Sequence, residues 1–524
     1  MERLTFNVGS SRHAVVAGRA DRVAGRPANV ASLAAAPTTR ERYDWDYLWM
    51  LAFTALLFFR PQDQIPGLEA LHLAELTAIA GLAAMAVRRL GAGLAIVKVN
   101  AEMAAVVALG AVIVLTIPFS IWPGGSLKVF SDIYVKIILI FALMMSTLTS
   151  PKRIRQMTWI MIAASSYIAA RAIFDYVRGV NLVEGNRVRG AVGGMFENPN
   201  DLALNLVTFL APTLFIVIQD RRASRRLLGA LFAVTMAGAI VCTKSRSGFL
   251  GLVIMGAVVA YYTMRMRPGI VLAGVLAAAV ALPAMPSSFW DRMDSIVNED
   301  EDTTGSRSAR LRLIDQGLEV FAENPLTGVG AGQFKNYNAP GVTIEKWRVT
   351  HNVWLQVASE LGVFGLAIFA FLVLRAYTSC FAVMRALRQR RKRFRPSASS
   401  GRPEPVEGAI APFDQLRASR AGRRTDRGLR NPPAEIRPPQ FSQVELTILD
   451  QNAKGMFAAI VGWTVCSLFA SVAFNWTLYY VLALAVAGRE IVRARMAESA
   501  QAEEHRAPVR ADRRPGPRLV KAHA

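Results

Sequence analysis

A few arginines and one histidine, set at the edges of long apolar runs, are the residues of this sequence best suited to chemistry. Arg246 lies in the short polar segment 243–248, which joins two apolar runs with almost no loop. Arg310 lies in the long polar segment 286–350, and His351 follows at its end. An arginine presents a planar fork of N–H donors that fits two phosphate oxygens, and it keeps its charge. A histidine can accept a proton near physiological pH. Together these residues indicate a site for a phosphate or diphosphate beside a proton acceptor.

The elements that hold these residues are predicted from the apolar runs. The chain has 524 residues, of which 53% are hydrophobic, and a mean hydropathy of +0.30. Apolar runs of about 17 to 22 residues match the thickness of a bilayer. They predict an all-α, polytopic integral membrane protein with about twelve transmembrane helices and one long, partly helical outer loop. The predicted helices are centred near Ala52, Ile79, Val112, Leu139, Ile162, Phe209, Met236, Ile254, Ala277, Leu366, Phe469 and Leu482.

The basic residues predict the orientation in the membrane. The formal net charge is +23. Basic clusters at 88–89, 152–155, 221–226 and 265–267 fall in every second connection, as the positive-inside rule requires of cytoplasmic loops. This alternation favours contact with membrane lipids over nucleic acid binding as the reason for the charge. With an even number of spans, both termini are cytoplasmic and the long loop lies on the opposite face.

The same patterns divide the chain into segments. These are a basic cytoplasmic tail (1–45), transmembrane helices 1–9 (46–285), the outer loop with an amphipathic helix (286–352), transmembrane helix 10 (353–380), a disordered basic cytoplasmic insertion (381–452), transmembrane helices 11 and 12 (453–490) and a basic cytoplasmic tail (491–524). The insertion is rich in Arg, Pro, Ser and Gly, which is typical of disorder. Three dispersed cysteines and five histidines without ligand spacing predict neither a disulfide framework nor a metal site. No cofactor is expected.

Several arginines break the positive-inside pattern. They are Arg187 and Arg189, Arg246, and Arg307, Arg310 and Arg312. Arginines on the outer surface indicate an anionic headgroup such as a lipid-linked diphosphate. The alternative is pairing with nearby acids such as Glu184, Glu197 or Asp201. Arg246 is the strongest candidate, because an ionisable group at interface depth is by default a functional one. The neighbouring Lys244 could serve in the same way, but its flexible side chain is more simply expected to extend into water.

An amphipathic helix is predicted over 306–321, because apolar residues recur there at steps of three and four. Its stripe is formed by Leu311, Ile314, Leu318 and Phe321. At about 100° per residue, Arg310 projects on the side of this stripe and faces the protein and membrane. Arg312 projects on the opposite side with Asp315 and Glu319, as expected of a solvated ion-pair partner.

A glycine-punctuated turn separates this helix from His351. It reads Asn324-Pro325-Leu326-Thr327-Gly328-Val329-Gly330 and lacks the lysine of a nucleotide-binding P-loop. Taken alone, His351 fits a structural role, a hydrogen bond to a phosphate or the acceptance of a proton from a hydroxyl.

In combination these motifs resemble the O-antigen ligase and polymerase superfamily, from about Asn198 to Phe369. The matching sequences are Ser-Arg-Ser-Gly at 245–248, Ser-Ala-Arg-Leu-Arg-Leu-Ile-Asp-Gln-Gly-Leu at 308–318, the turn 324–330, His351-Asn352 and Gly-Met-Phe-Glu-Asn-Pro-Asn at 194–200. Phe-Arg-Pro-Gln-Asp at 59–63 and Ile-Pro-Gly at 65–67 resemble a subgroup, the O-glycosylation ligases associated with exosortase A systems.

The resemblance implies en bloc transfer of a preassembled glycan from undecaprenyl diphosphate to an acceptor hydroxyl on lipid A core, protein or polysaccharide. It further implies a site on the periplasmic face of the bacterial inner membrane, no metal, and inversion at the anomeric carbon. Arg246 and Arg310 would bind the diphosphate and stabilise its developing charge. His351 would deprotonate or orient the acceptor, and Arg187 or Arg189 would assist.

Other functions stay open from the sequence. Ile314 stands where many family members have Trp, and the insertion after Arg385 does not align with them. A polymerase that extends lipid-linked repeats would share the arginines and the donor, so these residues do not separate it from a ligase. A transporter or flippase would carry polar sites at mid-membrane, whereas the candidate residues cluster at one face. An inactive polytopic scaffold is the last alternative.

Overall fold

The computed structural model describes residues 44–63, 65–183, 186–190, 196–285, 287–294, 306–337, 348–393 and 441–504. Within them the α-helices are, in chain order, α1 (Trp45–Phe59), α2 (Leu73–Gly91), α3 (Ala101–Thr116), α4 (Pro123–Val129), α5 (Val135–Thr147), α6 (Pro151–Arg178), α7 (Pro199–Gln219), α8 (Ala223–Cys242), α9 (Arg246–Met264), α10 (Pro268–Ala281), α11 (Ser287–Asp294), α12 (Ser306–Glu323), α13 (Phe334–Tyr337), α14 (Val353–Arg393), α15 (Gln443–Ser467) and α16 (Trp476–Glu504). A turn of π-helix, Phe130–Tyr134, joins α4 to α5. Strands β1 (Leu182–Val183) and β2 (Arg187–Val188) form an antiparallel hairpin between α6 and α7.

Seven stretches of helix in the described part of the chain are long and apolar enough to cross a membrane. They are Ala101–Phe119, Pro123–Thr147, Pro151–Arg178, Pro199–Gln219, Ala223–Cys242, Arg246–Met264 and Val353–Arg390. Helices α1 and α10 are apolar but shorter, and α2, α15 and α16 carry more charged residues. The protein is thus a multi-pass, all-α membrane protein, while the count of twelve spans and the outer location of the long loop remain predictions.

The eleventh predicted helix is misplaced. The prediction centred it near Phe469 within 453–490, whereas α15 begins at Gln443 and Phe469 lies in the connection to α16. The start of α15 is fixed by a capping box. The Ser442 hydroxyl accepts from the backbone N–H of Glu445, and the Glu445 carboxylate accepts from the backbone N–H of Ser442.

A buried ion pair explains why the start of α15 escaped the prediction. Asp450 and Lys454 lie one turn apart with 2.6 Å between carboxylate and ammonium, and both are buried. The two charged residues lower the hydropathy of this stretch of sequence, although in the folded protein their charges neutralise each other. Both ends of the predicted insertion 381–452 are helical. Helix α14 continues to Arg393, and α15 begins at Gln443. The interior, 394–440, lies outside the described residues, as do both predicted tails before residue 44 and after 504.

Helix α7 is the most deeply placed of the membrane-spanning helices, with 83% of its span buried. It packs against α8, α9 and α15. Gly455 of α15 meets Pro212 inside α7 so closely that an added Cβ would lie 2.9 Å from the Pro212 Cα. This contact brings the backbones of α7 and α15 close together.

The two ends of the bundle are built differently. The loop end carries the connections before α7, before α9, before α14 and after α15. At the opposite end, Glu102 at the start of α3 is fully buried. Its carboxylate accepts hydrogen bonds from both terminal nitrogens of Arg489, at 2.7 and 2.9 Å, and one from Arg375. This network ties α3 to α14 and α16.

Candidate functional site

Arg187 joins three segments at the loop end. Its side chain is 6% exposed, its Nε donates to the Thr243 carbonyl at 3.2 Å, and its Nη2 donates to Asn200 Oδ1 at 2.8 Å. The Ser245 hydroxyl donates to the same Asn200 oxygen at 2.8 Å and caps α9 by accepting from Gly248 N at 3.1 Å. The hairpin, the start of α7 and the start of α9 therefore meet around one buried guanidinium.

Arg187 and Arg189 differ in burial, a difference that the sequence did not predict. Arg189 is exposed, and its backbone N–H donates to the Asn181 carbonyl at 3.1 Å. Arg189 follows the last residue of β2, so the alternation of the strand does not place its side chain on the face of Arg187. Of the two, only Arg187 contacts the segment that leads into Arg246.

Arg246 is the first residue of α9 and is partly exposed. The residue before its cap, Lys244, has a φ of 45°, which turns the chain sharply between α8 and α9. The expectation that Lys244 extends into water is wrong. Its side chain is 5% exposed and its Nζ lies 5.9 Å from the ring centroid of Tyr176, where a cation–π contact holds it.

Arg310 faces the protein, as predicted, but on a different apolar stripe. Within α12, Leu313, Gly317 and Val320 are buried, whereas the predicted stripe is largely exposed, with 51% for Leu311, 37% for Ile314 and 53% for Leu318. Gly317 sets this phase, because an added Cβ would lie 2.4 Å from a methyl of Leu355 in α14.

In this orientation of α12, Arg310 and Arg312 still lie on different faces of the helix. Arg310 shares the buried face, and its guanidinium lies 5.9 Å from the ring centroid of Phe469. Arg312 is exposed, in agreement with the prediction. The side chain of Arg307 lies outside the described residues.

The glycine-punctuated turn attaches the long loop to α14. Helix α14 is interrupted at Gly362, with φ 66° and ψ −166°. At this interruption, two backbone carbonyls of α14 accept hydrogen bonds from the glycine-punctuated turn. Val329 N donates to Ser359 O and Gly330 N donates to Glu360 O, both at 2.9 Å. Because these N–H groups are used inside the protein, the turn is a docking element and does not cradle a phosphate.

His351 sits at the start of α14 in a left-handed conformation, with a φ of 48°, and is partly exposed. Its neighbours hold it there. Asn352 Oδ1 caps α14 by accepting from Trp354 N at 2.9 Å, and the Thr350 hydroxyl lies 3.0 Å from the hydroxyl of Ser471. A left-handed non-glycine residue fixed on both sides is typical of a functional position.

The connection between α15 and α16, residues 468–475, brings the candidate residues together. Phe469 contacts Arg310, and Ser471 contacts the residue before His351. Just before the connection, Cys466 Sγ donates to the carbonyl of Ser247, which adjoins Arg246. No motif in the sequence indicated that this connection is part of the site. The only signal was its break in the apolar pattern near Asn475.

No group of three or more His, Cys, Asp or Glu residues that could hold a metal ion is present in the described part of the chain. The charge at the loop end is instead supplied by Lys244 and by the arginines of α9, α12 and the hairpin. Such an arrangement can bind and stabilise an anionic group.

Residues 231–370 match a protein-family model described as Wzy_C, O-antigen ligase. The match covers about a quarter of the chain, from within α8 to within α14, and contains Arg246, Arg310 and His351. A search of curated proteins gives no match. The family match supports the resemblance to the O-antigen ligase superfamily and a membrane enzyme of the ligase or polymerase type. It does not address the exosortase-associated subgroup, and Arg187 and Arg189 lie outside it.

Proposed function

We propose that the protein is an O-antigen ligase-type glycosyltransferase. It moves a preassembled glycan en bloc from undecaprenyl diphosphate to an acceptor hydroxyl at the periplasmic face of the bacterial inner membrane. The observation that carries the proposal is that Arg310, the segment before His351 and the start of α9 all contact the end of α15 or the connection 468–475 that follows it. These segments come from the stretch that matches the ligase family model.

The chemistry assigned to the site is a single displacement. The acceptor oxygen attacks the anomeric carbon, and the bond from that carbon to the diphosphate breaks, which inverts the configuration. Arg246 and Arg310 bind the diphosphate and stabilise the charge that it gains, an effect of about 3 kcal/mol per donor. Arg187 holds the start of α9 in place, and Arg189 is too exposed to share that role. His351 orients the acceptor or accepts its proton.

The main alternative is a polysaccharide repeat-unit polymerase, which uses the same donor and arginines but a lipid-linked acceptor. The ligase is preferred here only by the description of the matching family. A transporter is disfavoured because the candidate residues lie at helix ends of one face, whereas transporters place their sites at discontinuous helices near mid-membrane.

The test is a transfer assay on the full chain in nanodiscs. Protein is incubated with an undecaprenyl diphosphate-linked oligosaccharide and candidate acceptors in a metal chelator, and free lipid diphosphate is measured. We expect release that depends on the acceptor, with one glycan added per acceptor. Longer lipid-linked chains would make the protein a polymerase. No release with any acceptor would reject the glycosyltransferase.

The first variant in this assay is Arg246→Lys. Lysine keeps the charge but loses the planar fork, so turnover should fall about 100-fold, since one such donor contributes about 3 kcal/mol. Unchanged membrane insertion and thermal unfolding serve as the control. Near-normal turnover would remove Arg246 from the diphosphate site.

A further inference from the structure

A cavity of about 920 Å³ opens beside the candidate site at the loop end. Its walls are α1, α2 and the α4–α5 helix, and it is closed by the first turns of α7, α14 and α16 with part of the connection 468–475. Ser471 lines it and also contacts the segment before His351. Arg187, Arg246, Arg310 and His351 are not among the described residues that line it. The cavity therefore adjoins the proposed diphosphate site and is distinct from it.

The lining favours an uncharged, hydroxyl-bearing ligand. Its charged side chains are Arg60 and Lys136 against Glu75, Asp132 and Asp201, with His72 at the rim. Lys136 is paired with Glu75 at 3.0 Å, so the positive charge is partly compensated and a diphosphate has little to bind. The remaining polar groups are amides and hydroxyls, from Gln62, Ser131, Gln356, Ser471 and Asn475. Such groups bind hydroxyls by donating and accepting hydrogen bonds.

Two further features agree with a ligand of this kind. Gln62 Oε1 is buried and has no hydrogen-bond partner among the described residues, which leaves an acceptor for a ligand hydroxyl. The wall that α2 forms from Leu73 to Leu82 is apolar except for Glu75. At a rise of 1.5 Å per residue this wall is roughly 14 Å long, enough for an apolar portion of the same ligand.

Asp201 is the carboxylate of this cavity that the protein leaves available. Glu75 is paired with Lys136, and Asp132 accepts from the Ser131 hydroxyl at 2.9 Å. By contrast, no described residue donates a hydrogen bond to the Asp201 carboxylate or forms an ion pair with it. The backbone N–H of Asp201 donates to the Asn198 carbonyl at 3.1 Å, so the residue is fixed in the first turn of α7.

The first turn of α7 places Asp201 between the two sites. Its neighbour Asn200 accepts from Arg187 and Ser245 on the side of the arginines. Consecutive residues of a helix project about 100° apart, and Asp201 lines the cavity. One rigid turn thus carries a group that orients the arginine side and a carboxylate that faces the cavity.

We propose that the cavity is the acceptor site and that Asp201 accepts the proton of the acceptor hydroxyl. The proposal rests on the proposed function. As the acceptor oxygen bonds to the anomeric carbon, the bond from that carbon to the diphosphate oxygen breaks. The electron pair stays on the diphosphate at the arginines, and the hydroxyl proton passes to the Asp201 carboxylate. His351 then orients the reactants and is not the base.

The test compares Asp201→Asn with Asp220→Asn, at the opposite end of α7 and outside the cavity lining, in the nanodisc assay. Asp201→Asn should lower acceptor-dependent transfer at least about 100-fold, the usual contribution of a general base. Its equilibrium binding of the undecaprenyl diphosphate-linked oligosaccharide should stay within twofold of the unmodified protein. Asp220→Asn should stay within threefold in both measurements. Asp201→Glu, which keeps the carboxylate, should recover at least a tenth of the rate.

The pH profile separates a base from a merely structural residue. The rate of the unmodified protein should fall as the pH drops and the carboxylate is protonated, and this fall should be absent in Asp201→Asn.

A second variant, Ala78→Trp, fills the cavity from α2 and should raise the acceptor KM at least fivefold without changing donor binding. Val87→Trp, on the exposed face of the same helix, is its control.

The outcomes are distinct from those for the proposed function. Asp201→Asn with transfer within threefold of normal, or with an unchanged acid fall, overturns the assignment of the base. An acceptor KM equal in Ala78→Trp and Val87→Trp overturns the acceptor cavity. An unmodified protein that releases no lipid diphosphate with any acceptor overturns the proposed function and this inference together.

Discussion

Buried arginines at the two ends of the bundle are held by different kinds of partner. At the opposite end, Arg489 binds both carboxylate oxygens of Glu102, at 2.7 and 2.9 Å. At the loop end, Arg187 donates to a carbonyl and an amide oxygen. The first arrangement pairs a guanidinium with a carboxylate, whereas the two bonds of Arg187 tie together the segments that lead into α7 and α9. An ion pair of the first kind is structural, whereas the bonds of Arg187 position the residues beside Arg246.

The two ends of the bundle also contribute differently to the fold and to the site. The opposite end connects α3, α14 and α16, which are far apart in sequence, through one buried network. The loop end instead gathers short connections whose backbones are fixed by caps and by the docked turn. Substitutions at the first end should therefore change stability, and substitutions at the second should change turnover.

The largest expected effect is on stability. Glu102→Ala removes the carboxylate that binds the buried Arg489 and the partly exposed Arg375, and leaves Arg489 with Glu490 alone, which should destabilise the fold by about 3 kcal/mol. Thermal unfolding in detergent measures it, with turnover per folded molecule unchanged. The matched control is Lys98→Ala, whose partly exposed pair with Glu490 at 3.7 Å should contribute less than about 1 kcal/mol. Equal shifts in the two variants would break the distinction between the ends.

The next effect is on turnover and uses the two arginines of α12. Arg310→Ala removes a guanidinium from the buried face and should lower transfer about 100-fold, as expected for a group that stabilises developing charge. Arg312→Ala removes an exposed one and should stay within threefold. Both variants should unfold at the temperature of the unmodified protein. Equal losses of turnover would reject the phase of α12 and the role of Arg310.

The two arginines of α12 also show how far the sequence can predict this site. Helical periodicity predicted the helix 306–321, against Ser306–Glu323 in the structure, and the inward direction of Arg310. It selected the wrong apolar stripe because α12 carries apolar residues on two faces. Only the close contact of Gly317 with Leu355 decides between them, and that contact is not local in sequence.

Long-range contacts are also why the centre of the site was missed. Thr350 and Ser471 are 121 residues apart, so no local pattern indicates that they touch. The buried pair of Asp450 and Lys454 hid the start of α15 and moved its predicted centre onto Phe469. Local sequence predicted which residues are suited to chemistry, whereas the packing of α15 determines where they meet.

The smallest expected effect distinguishes Arg187 from Arg189. Arg187→Gln loses hydrogen bonds from a charged group, each worth about 1.5 to 3 kcal/mol, and should lower transfer about tenfold by loosening the start of α9. Arg189→Gln changes an exposed side chain and should stay within twofold.

Because Arg187 is buried, Arg187→Lys is measured beside it to separate loss of charge from loss of packing. If Arg187→Lys turns over normally while Arg187→Gln does not, the charge alone matters. If both fall tenfold at unchanged unfolding temperature, the two directed hydrogen bonds to Thr243 and Asn200 are what position Arg246. Equal activity of the glutamine variants at 187 and 189 would show that the hydrogen bonds of Arg187 to Thr243 and Asn200 do not position Arg246.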